Sequence, residues 1–368
     1  LRSSNPFLIK IKQSEKKKTL EKMDPTTIST PTSSAPASAA ASHALRRFGL
    51  EGKKALVTGG TKGIGKAVVE ELASLGASVF TCSRNEGELE EALRAWRARG
   101  LEVNGIAADV STPEGRKELI EDYQRWNVVE LYGGGAASTL DILVNNVGTN
   151  VKKPSKDYSK EDYDRVFGTN LESVIALTAL AHPMLRRGSK EAKAERKWER
   201  KWEEEEERKK RGEEEEEEEE EEDIEEKDEE DDSDEEEGEG NQAPETSSVV
   251  IISSVAGGPP SMKSGSLYAA TKAALDQLAR NWACEWAQDG IRVTAVKPFY
   301  IDTPLASGVV GDPRQLRQVL DATPSRRVGS PEDVAGVVAF LCSRAAAHVT
   351  GETVAVDGGY LAAGFWPV

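Results

Sequence analysis

Short apolar runs alternate with amphipathic stretches along most of the chain. Lys54–Thr58 (KALVT), Ser78–Ser83 (SVFTCS), Val103–Ala107, Asp141–Val144, Ser248–Ile252, Ile291–Val296 and Thr353–Val356 are short and largely β-branched, which predicts strands. Helical periodicity between them predicts helices over Ala67–Leu75, Glu86–Arg99, Thr112–Tyr123, roughly Lys160–Leu185, Ser266–Trp286 and Pro331–Leu341. Ser330 is placed to cap the last of these, with Pro331 at its first position. Trp126–Thr139, which contains Gly133-Gly134-Gly135, reads as a loop, and Leu305–Leu320 as partly helical. Strands that alternate with helices predict an α/β fold, one doubly wound parallel sheet in a single domain.

Two stretches break the pattern. Residues 1–45 are polar and unpatterned, and from Pro25 onward rich in Ser, Thr, Ala and Pro, so they are expected to form a disordered tail or a transit segment, with Met23 a candidate start. Residues 189–246 are expected to be an acidic low-complexity insert. It contains the unbroken glutamate run Glu213–Glu222, and like charges at that density repel one another. The insert divides the domain into a first part, 46–188, and a second part, 247–368. It also accounts for the charge: Lys190–Glu245 holds 32 acidic and 11 basic residues, so the whole-chain net of −17 becomes +4 elsewhere. No strongly basic face stands out, which argues against nucleic acid as a partner. No apolar run reaches the ~18 residues of a membrane span. Cys82, Cys284 and Cys342 are widely spaced, which fits reduced thiols and neither a disulfide framework nor a metal site.

Candidate chemistry concentrates after the strand at Ser248–Ile252. Tyr268 and Lys272 lie four residues apart and share a helix face. A phenol ordinarily titrates near ~10, and a neighbouring ammonium is expected to lower that value into a range useful for proton transfer. Ser254, at the end of the neighbouring strand, is placed to hydrogen-bond an oxygen that gains charge. Such a pair needs a cofactor site to mean anything, and Thr58-Gly59-Gly60-Thr61-Lys62-Gly63-Ile64-Gly65 supplies one: strand, glycine-rich turn, helix. The glycines allow the backbone to approach a pyrophosphate at the helix N-terminus, as in Rossmann-type units, although the spacing Gly-x-x-x-Gly-x-Gly differs from the common fingerprint. No acid lies between Ser78 and Arg84 to grip ribose hydroxyls; Arg84, with Lys62, suits a 2′-phosphate and points to NADP(H). Asp109, after the third strand, is expected either to meet the adenine or to cap the next helix.

The set Thr58-Gly59-x-x-x-Gly63-Ile64-Gly65, Asn145-Asn146-x-Gly148, Asn170, Ser254 and Tyr268-x-x-x-Lys272 resembles the short-chain dehydrogenase/reductase family. TGGTKGIG, TCSRNE, NNVGTN, LAHPML, ISSVAG, YAATKAA, CEWAQDGIRV, PFYIDTPL and TGETVAVDGGY resemble its plant tropinone reductase-like group, across about Arg46 to Pro367 without the insert. The resemblance implies that Tyr268 is the general acid/base, that Lys272 lowers the Tyr268 pKa and holds the nicotinamide ribose, that Ser254 binds the carbonyl oxygen, and that Asn170 holds a relay water. It implies a cofactor-binding set of Gly59, Thr61, Lys62, Gly63, Ile64, Gly65, Ser83, Arg84, Asp109, Val110, Asn146, Gly148, Tyr268, Lys272, Pro298, Ile301 and Thr303, with Asp109 and Val110 beside adenine, and Ile301 and Thr303 beside the nicotinamide amide. Three departures stand out: the Ser254–Tyr268 spacing is one residue longer than the family pattern, Phe299 stands where the family often has glycine, and the acidic insert lies between a helix end and the start of the fifth strand, so it is expected to emerge at the edge opposite the cofactor.

The expected function is therefore an NADPH-dependent carbonyl reductase, or alcohol dehydrogenase in reverse, acting on a small cyclic ketone. The alternative is a non-catalytic NADP(H)-binding scaffold whose acidic insert recruits basic partners. A homodimer or homotetramer is expected from the resemblance, and a cytoplasmic location, or a plastid one if residues 1–45 are a transit segment.

Overall fold

The apolar runs do form strands, and their pairing order decides where the chemistry sits. The computed structural model describes residues 46–130, 136–186, 246–260 and 262–363. The strands are β1 (Lys54–Thr58), β2 (Ser78–Ser83), β3 (Val103–Ala107), β4 (Ile142–Asn145), β5 (Ser247–Ile252), β6 (Ile291–Pro298) and β7 (Thr353–Val356). They pair in parallel in the order β3-β2-β1-β4-β5-β6-β7. The chain winds outward from β1 to β3 and then returns to place β4 on the other side of β1. That reversal opens a crevice at the carboxyl ends of β1 and β4, where ligands bind in open α/β sheets.

Side-chain alternation along the strands feeds two cores. Val57, Val144 and Val250 point to one face, where they meet Val68, Val69 and Leu72 of α1 (Gly63–Ser74), Trp96 of α2 (Glu86–Ala98), and Val334, Val338 and Leu341 of α8 (Pro331–Cys342). Leu56, Leu143, Val249 and Ile251 point to the other. There they meet Leu119 and Tyr123 of α3 (Pro113–Trp126), Val174 and Leu177 of α4 (residues 160–186), and Leu275 and Ala279 of α5 (Ser266–Glu285). Both faces are covered, which is why the strands read as continuous apolar runs.

The helix expected over Lys160–Leu185 is present but not uniform. It runs α-helical over Lys160–Phe167, widens into a π-turn at Gly168–Glu172, and resumes over residues 173–186; together these form α4. The stretch expected as a loop, Trp126–Thr139, contains the end of α3 and a short antiparallel pairing of Val129–Glu130 with Ala136–Ala137, which period-2 patterning could not reveal in two-residue strands. Leu305–Leu320 resolves into α6 (Ser307–Val310) and α7 (Pro313–Ala322), the second capped by Asp312. Ser330 caps α8 with a reciprocal bond from Asp333, as expected. The tail expected at 1–45 and the insert expected at 189–246, apart from Thr246, lie outside the described residues. The roots of the insert are described: the Ser247 hydroxyl donates to the carbonyl oxygens of Leu185 (2.7 Å) and Leu140 (3.2 Å), at the amino end of β5. Among the described residues no helix is long and apolar enough to cross a membrane.

Candidate active site

The glycine turn after β1 is shaped by close approach. Gly59 and Gly63 have φ of 69° and 54°, the left-handed region that favours glycine. A Cβ on Gly65 would overlap the Gly59 carbonyl oxygen, so α1 can begin this close to the strand end only with glycine there. Lys62 is the N-cap of α1 and makes no side-chain cap, so the first N–H groups of the helix are left for an outside acceptor. The Asn146 side-chain amide donates to the carbonyls of Thr58 (2.8 Å) and Gly59 (3.2 Å), and Thr58 Oγ1 accepts from the N–H groups of Asn146 (3.0 Å) and Val147 (3.2 Å). Asn146 thus clamps the turn to the end of β4.

At the carboxyl end of β2, Thr61 Oγ1 donates to Ser83 Oγ (3.2 Å), and the Asn85 side chain caps α2 by accepting from Glu88 N–H (3.0 Å). Arg84 is exposed beside this turn and makes no hydrogen bond or ion pair among the described residues, whereas Lys62 Nζ pairs with Glu88 Oε1 at 2.7 Å. Of the two roles considered for Asp109, capping falls to Thr112, which accepts from Gly115 N–H; Asp109 accepts from the N–H and hydroxyl of Ser111 and lines the cleft with Val110.

Further along, Ser254 ends the β5 segment and Tyr268 and Lys272 rise from the first turns of α5. Ser254 Oγ accepts from the Ala256 N–H (3.1 Å), and the Ser254 side chain is close enough to the Tyr268 phenol to lower its pKa, so the longer intervening loop does not separate them. Lys272 Nζ donates to Ile252 O at 2.7 Å and lies 5.6 Å from the centroid of the Tyr268 ring. Asn170 occupies the π-turn of α4 and is fully buried. Its Oδ1 accepts from Thr149 N–H (2.7 Å), and its Nδ2 donates to Thr149 O (2.9 Å) and Thr271 Oγ1 (3.2 Å). Single-turn π-bulges commonly mark functional sites. Gly148 lies between Asn170 and Lys272: a Cβ there would sit 3.6 Å from Asn170 Oδ1 and 3.7 Å from Lys272 Nζ.

Electrostatics differ from the expectation in one respect. Burial pushes the Tyr268 phenol above its ordinary value; the nearby Ser254 side chain pulls it back, and the neighbouring Tyr300 adds to the rise. The expected lowering by Lys272 is not what this geometry delivers, because the ammonium turns to a backbone carbonyl and over the ring. Lys272 itself is brought down to about 8 by burial, opposed by Asp276 one helical turn on. Asp276 forms a buried ion pair with Lys297 at 2.6 Å. Sequence reasoning missed Tyr300, Asp276, Lys297 and Thr58. For Asp276 a signal existed, since it follows Lys272 at helical spacing; Lys297 and Tyr300 are brought in by β6, and only the sheet order does that.

All of the expected site residues except Asn170 line one cleft of about 600 Å³. The carboxyl end of β6 supplies Pro298, Ile301 and Thr303, with Thr303 packed on Gly63. Phe299 stacks on Tyr360 (4.0 Å between centroids, 10° between planes) and meets Tyr300 edge-on, which makes an aromatic wall where glycine was the common alternative. An extended site at a sheet reversal, with an uncapped helix N-terminus at one end and a Ser–Tyr–Lys cluster at the other, suits a dinucleotide.

The comparisons with known proteins agree with that geometry. A family profile described as short chain dehydrogenase matches residues 53–192, and one described as Enoyl-(Acyl carrier protein) reductase matches residues 239–361. A tropinone reductase homolog of Arabidopsis thaliana is 40% identical over 320 residues, covering 87% of this chain and 96% of the relative. The chain belongs to the short-chain dehydrogenase/reductase family. Another Arabidopsis relative, a tropinone reductase homolog named as chloroplastic, is 38% identical and covers 87% of this chain and 79% of its own length. Among solved structures, a putative 2-deoxy-D-gluconate 3-dehydrogenase from Agrobacterium tumefaciens with bound NADP is 26% identical, with a TM-score of 0.62 over 86% of this chain and 99% of that one. The Pseudomonas aeruginosa RhlG/NADP active-site complex is also 26% identical, with a TM-score of 0.65 over 86% and 98%. As a short-chain dehydrogenase/reductase with tropinone reductase homologs as relatives, the protein is an NAD(P)-dependent oxidoreductase acting on CH–OH groups of a small molecule.

Proposed function

We propose that the protein is an NADPH-dependent carbonyl reductase of a small cyclic ketone, with Tyr268 as general acid/base. The observation that carries the reading is one cleft that gathers Ser254, Tyr268 and Lys272 at one end and presents an uncapped helix N-terminus beside Arg84 at the other. Bound NADPH would supply the hydride. Gly59, Lys62, Gly63, Ile64 and Gly65 would hold its pyrophosphate and adenosine side. Arg84 would meet the 2′-phosphate, with Lys62 joining once it leaves Glu88. Ser254 donates a hydrogen bond to the substrate carbonyl, and Tyr268 passes its phenolic proton to that oxygen as the carbonyl carbon accepts the hydride. Lys272 would hold the nicotinamide ribose. Asn170 ties Thr149 to Thr271, the chain neighbour of Lys272, and the π-turn around it is suited to hold a relay water.

Tyr268→Phe tests this assignment directly. Turnover should fall by ~10³-fold or more while NADPH affinity stays within about twofold, the usual scale for removing a positioned acid. The wild type should reduce cyclic ketones with NADPH far faster than with NADH. Activity near wild type in the variant would sink the mechanism, and cofactor binding with no turnover of any ketone would favour the scaffold alternative. We also read the enzyme as a homodimer or homotetramer and as cytoplasmic, with plastid import the reading a transit segment in residues 1–45 would support. Light scattering and a fluorescent fusion decide these; a monomer, or a secreted fusion, would reject them.

A further inference from the structure

The substrate end of the cleft carries two hydrogen-bonding atoms that the fold leaves unused. Ser264 is only 7% exposed and lines the cleft, and its Oγ has no hydrogen-bond partner among the described residues. Asn150 lines the same cleft, and its Oδ1 is likewise buried without a partner. Buried polar atoms are normally satisfied, so two orphans among the residues lining one cleft call for an explanation from outside the chain.

They are also held in place. The Tyr158 hydroxyl donates to Val151 O at 3.0 Å, directly after Asn150. Ser155 Oγ and Ser266 Oγ lie 2.6 Å apart and tie the two loops together. Gly265, at φ 95°, lets the chain after Ser264 press against Val151 and Tyr158, where a Cβ would overlap the Tyr158 hydroxyl. The orphan atoms therefore belong to loops pinned to each other.

Charge narrows the choice of ligand. The only carboxylates lining the cleft among the described residues are Glu88 and Asp109, both at the β2–β3 end; Glu88 pairs with Lys62 and Asp109 with Ser111. At the substrate end the charged groups are Lys152 and Lys272, both cations. An ammonium-bearing ketone would meet like charge and no counter-ion. A neutral hydroxyl can donate one hydrogen bond and accept two, which matches a serine hydroxyl beside an amide. The walls between, Val147, Met262 and Phe299, are apolar and suit a ring.

We propose that Ser264 and Asn150 form a subsite for a second oxygen function of the substrate, so that the enzyme selects a neutral hydroxylated cyclic ketone over its unsubstituted and amino analogues. The proposal rests on the reductase reading above and adds the substrate class. The test compares kcat/KM with NADPH for cyclohexanone, the 2-, 3- and 4-hydroxycyclohexanones and 4-aminocyclohexanone. At least one hydroxy isomer should exceed the parent by ~10-fold or more, and the amino ketone should be the poorest, because a site with unpaired polar groups penalises the analogue that lacks the matching group. Ser264→Ala should bring the hydroxy-to-parent ratio to within about threefold of unity, Asn150→Ala should lower it, and Ser264→Thr should retain it. Parent ketone reduced as well as every hydroxy isomer, an amino ketone preferred, or a ratio that both alanine variants leave unchanged would overturn the subsite. If none of these ketones is reduced, the carbonyl reductase reading is what has failed. The subsite is then read by ligand-observed NMR on the NADP⁺ complex: cyclohexanediols should outcompete cyclohexanol in the wild type and lose that advantage in Ser264→Ala, and equal competition in both proteins would reject it.

Discussion

Lys272 shows how position sets the behaviour of one residue. Burial brings its pKa from 10.5 to about 8, and Asp276 on the same helix face limits the fall. Between those two values the unfolded chain binds the extra proton. Stability contributed at this site therefore rises as pH climbs through that window, and the folded protein carries a full ammonium only below about 8. In the direction of carbonyl reduction, kcat/KM for NADPH, which reports the free enzyme, should fall as pH rises through about 8. In Lys272→Arg, whose guanidinium stays charged, that limb should move up or vanish. A pH profile of both proteins checks this, and a limb unmoved by the substitution would assign it to another group. The Tyr268–Lys272 spacing was legible from the residues alone. The direction of the Tyr268 shift was not, because it depends on burial, Ser254 and Tyr300, which only the assembled fold brings around the phenol.

At the scale of elements, the glycine turn and the π-turn do different work. The turn brings the amino end of α1 against β1, and Gly65 is the contact point, with backbone on the other side that has no side chain to swing away. Gly65→Ala should cost about 1–3 kcal/mol of stability, the usual price of overpacking, and should weaken NADPH binding by ~10-fold or more as the first N–H groups of α1 move off the pyrophosphate position. Thermal melts and a cofactor titration measure both effects; unchanged NADPH affinity would reject the role given to the turn. The π-turn at Gly168–Glu172 had no sequence signal, since the buried positions Val166, Asn170, Val174, Leu177 and Ala181 keep ordinary helical spacing through it. It was visible only once Asn170 was seen to bind Thr149 and Thr271.

At the scale of the whole molecule, parallel strands place all strand carboxyl ends, and so the cleft, on one edge of the sheet. The segment beyond residue 186 leaves α4 and rejoins at β5 on the opposite edge, where Ser247 already bonds Leu185. Its two roots meet without it, so the closure that the deletion must make is short. Deleting 190–245 should leave the Kd for NADPH within about twofold of wild type and preserve ketone turnover, as measured by fluorescence titration and steady-state rates. A loss of ~10-fold or more in affinity would place that segment in contact with the cofactor end, contrary to this topology.

The sequence by itself determined the α/β class, the seven strands to within a residue or two, the glycine turn and the placement of Tyr268 and Lys272 on one helix after the strand that leads to Ser254. Each of these is local: periodicity, turn residues and short spacings act within one element or between neighbours. Only the tertiary structure decided which loops face each other. It placed Asp276 and Lys297 as a buried pair beneath Lys272, set Tyr300 beside Tyr268, used Asn146 to clamp the glycine turn, and left Ser264 and Asn150 unpartnered along one cleft. The physical reason is that hydrogen-bond satisfaction and burial are properties of the assembled neighbourhood. A serine or an asparagine in a loop carries no mark of being an orphan until the strands that surround it are in order.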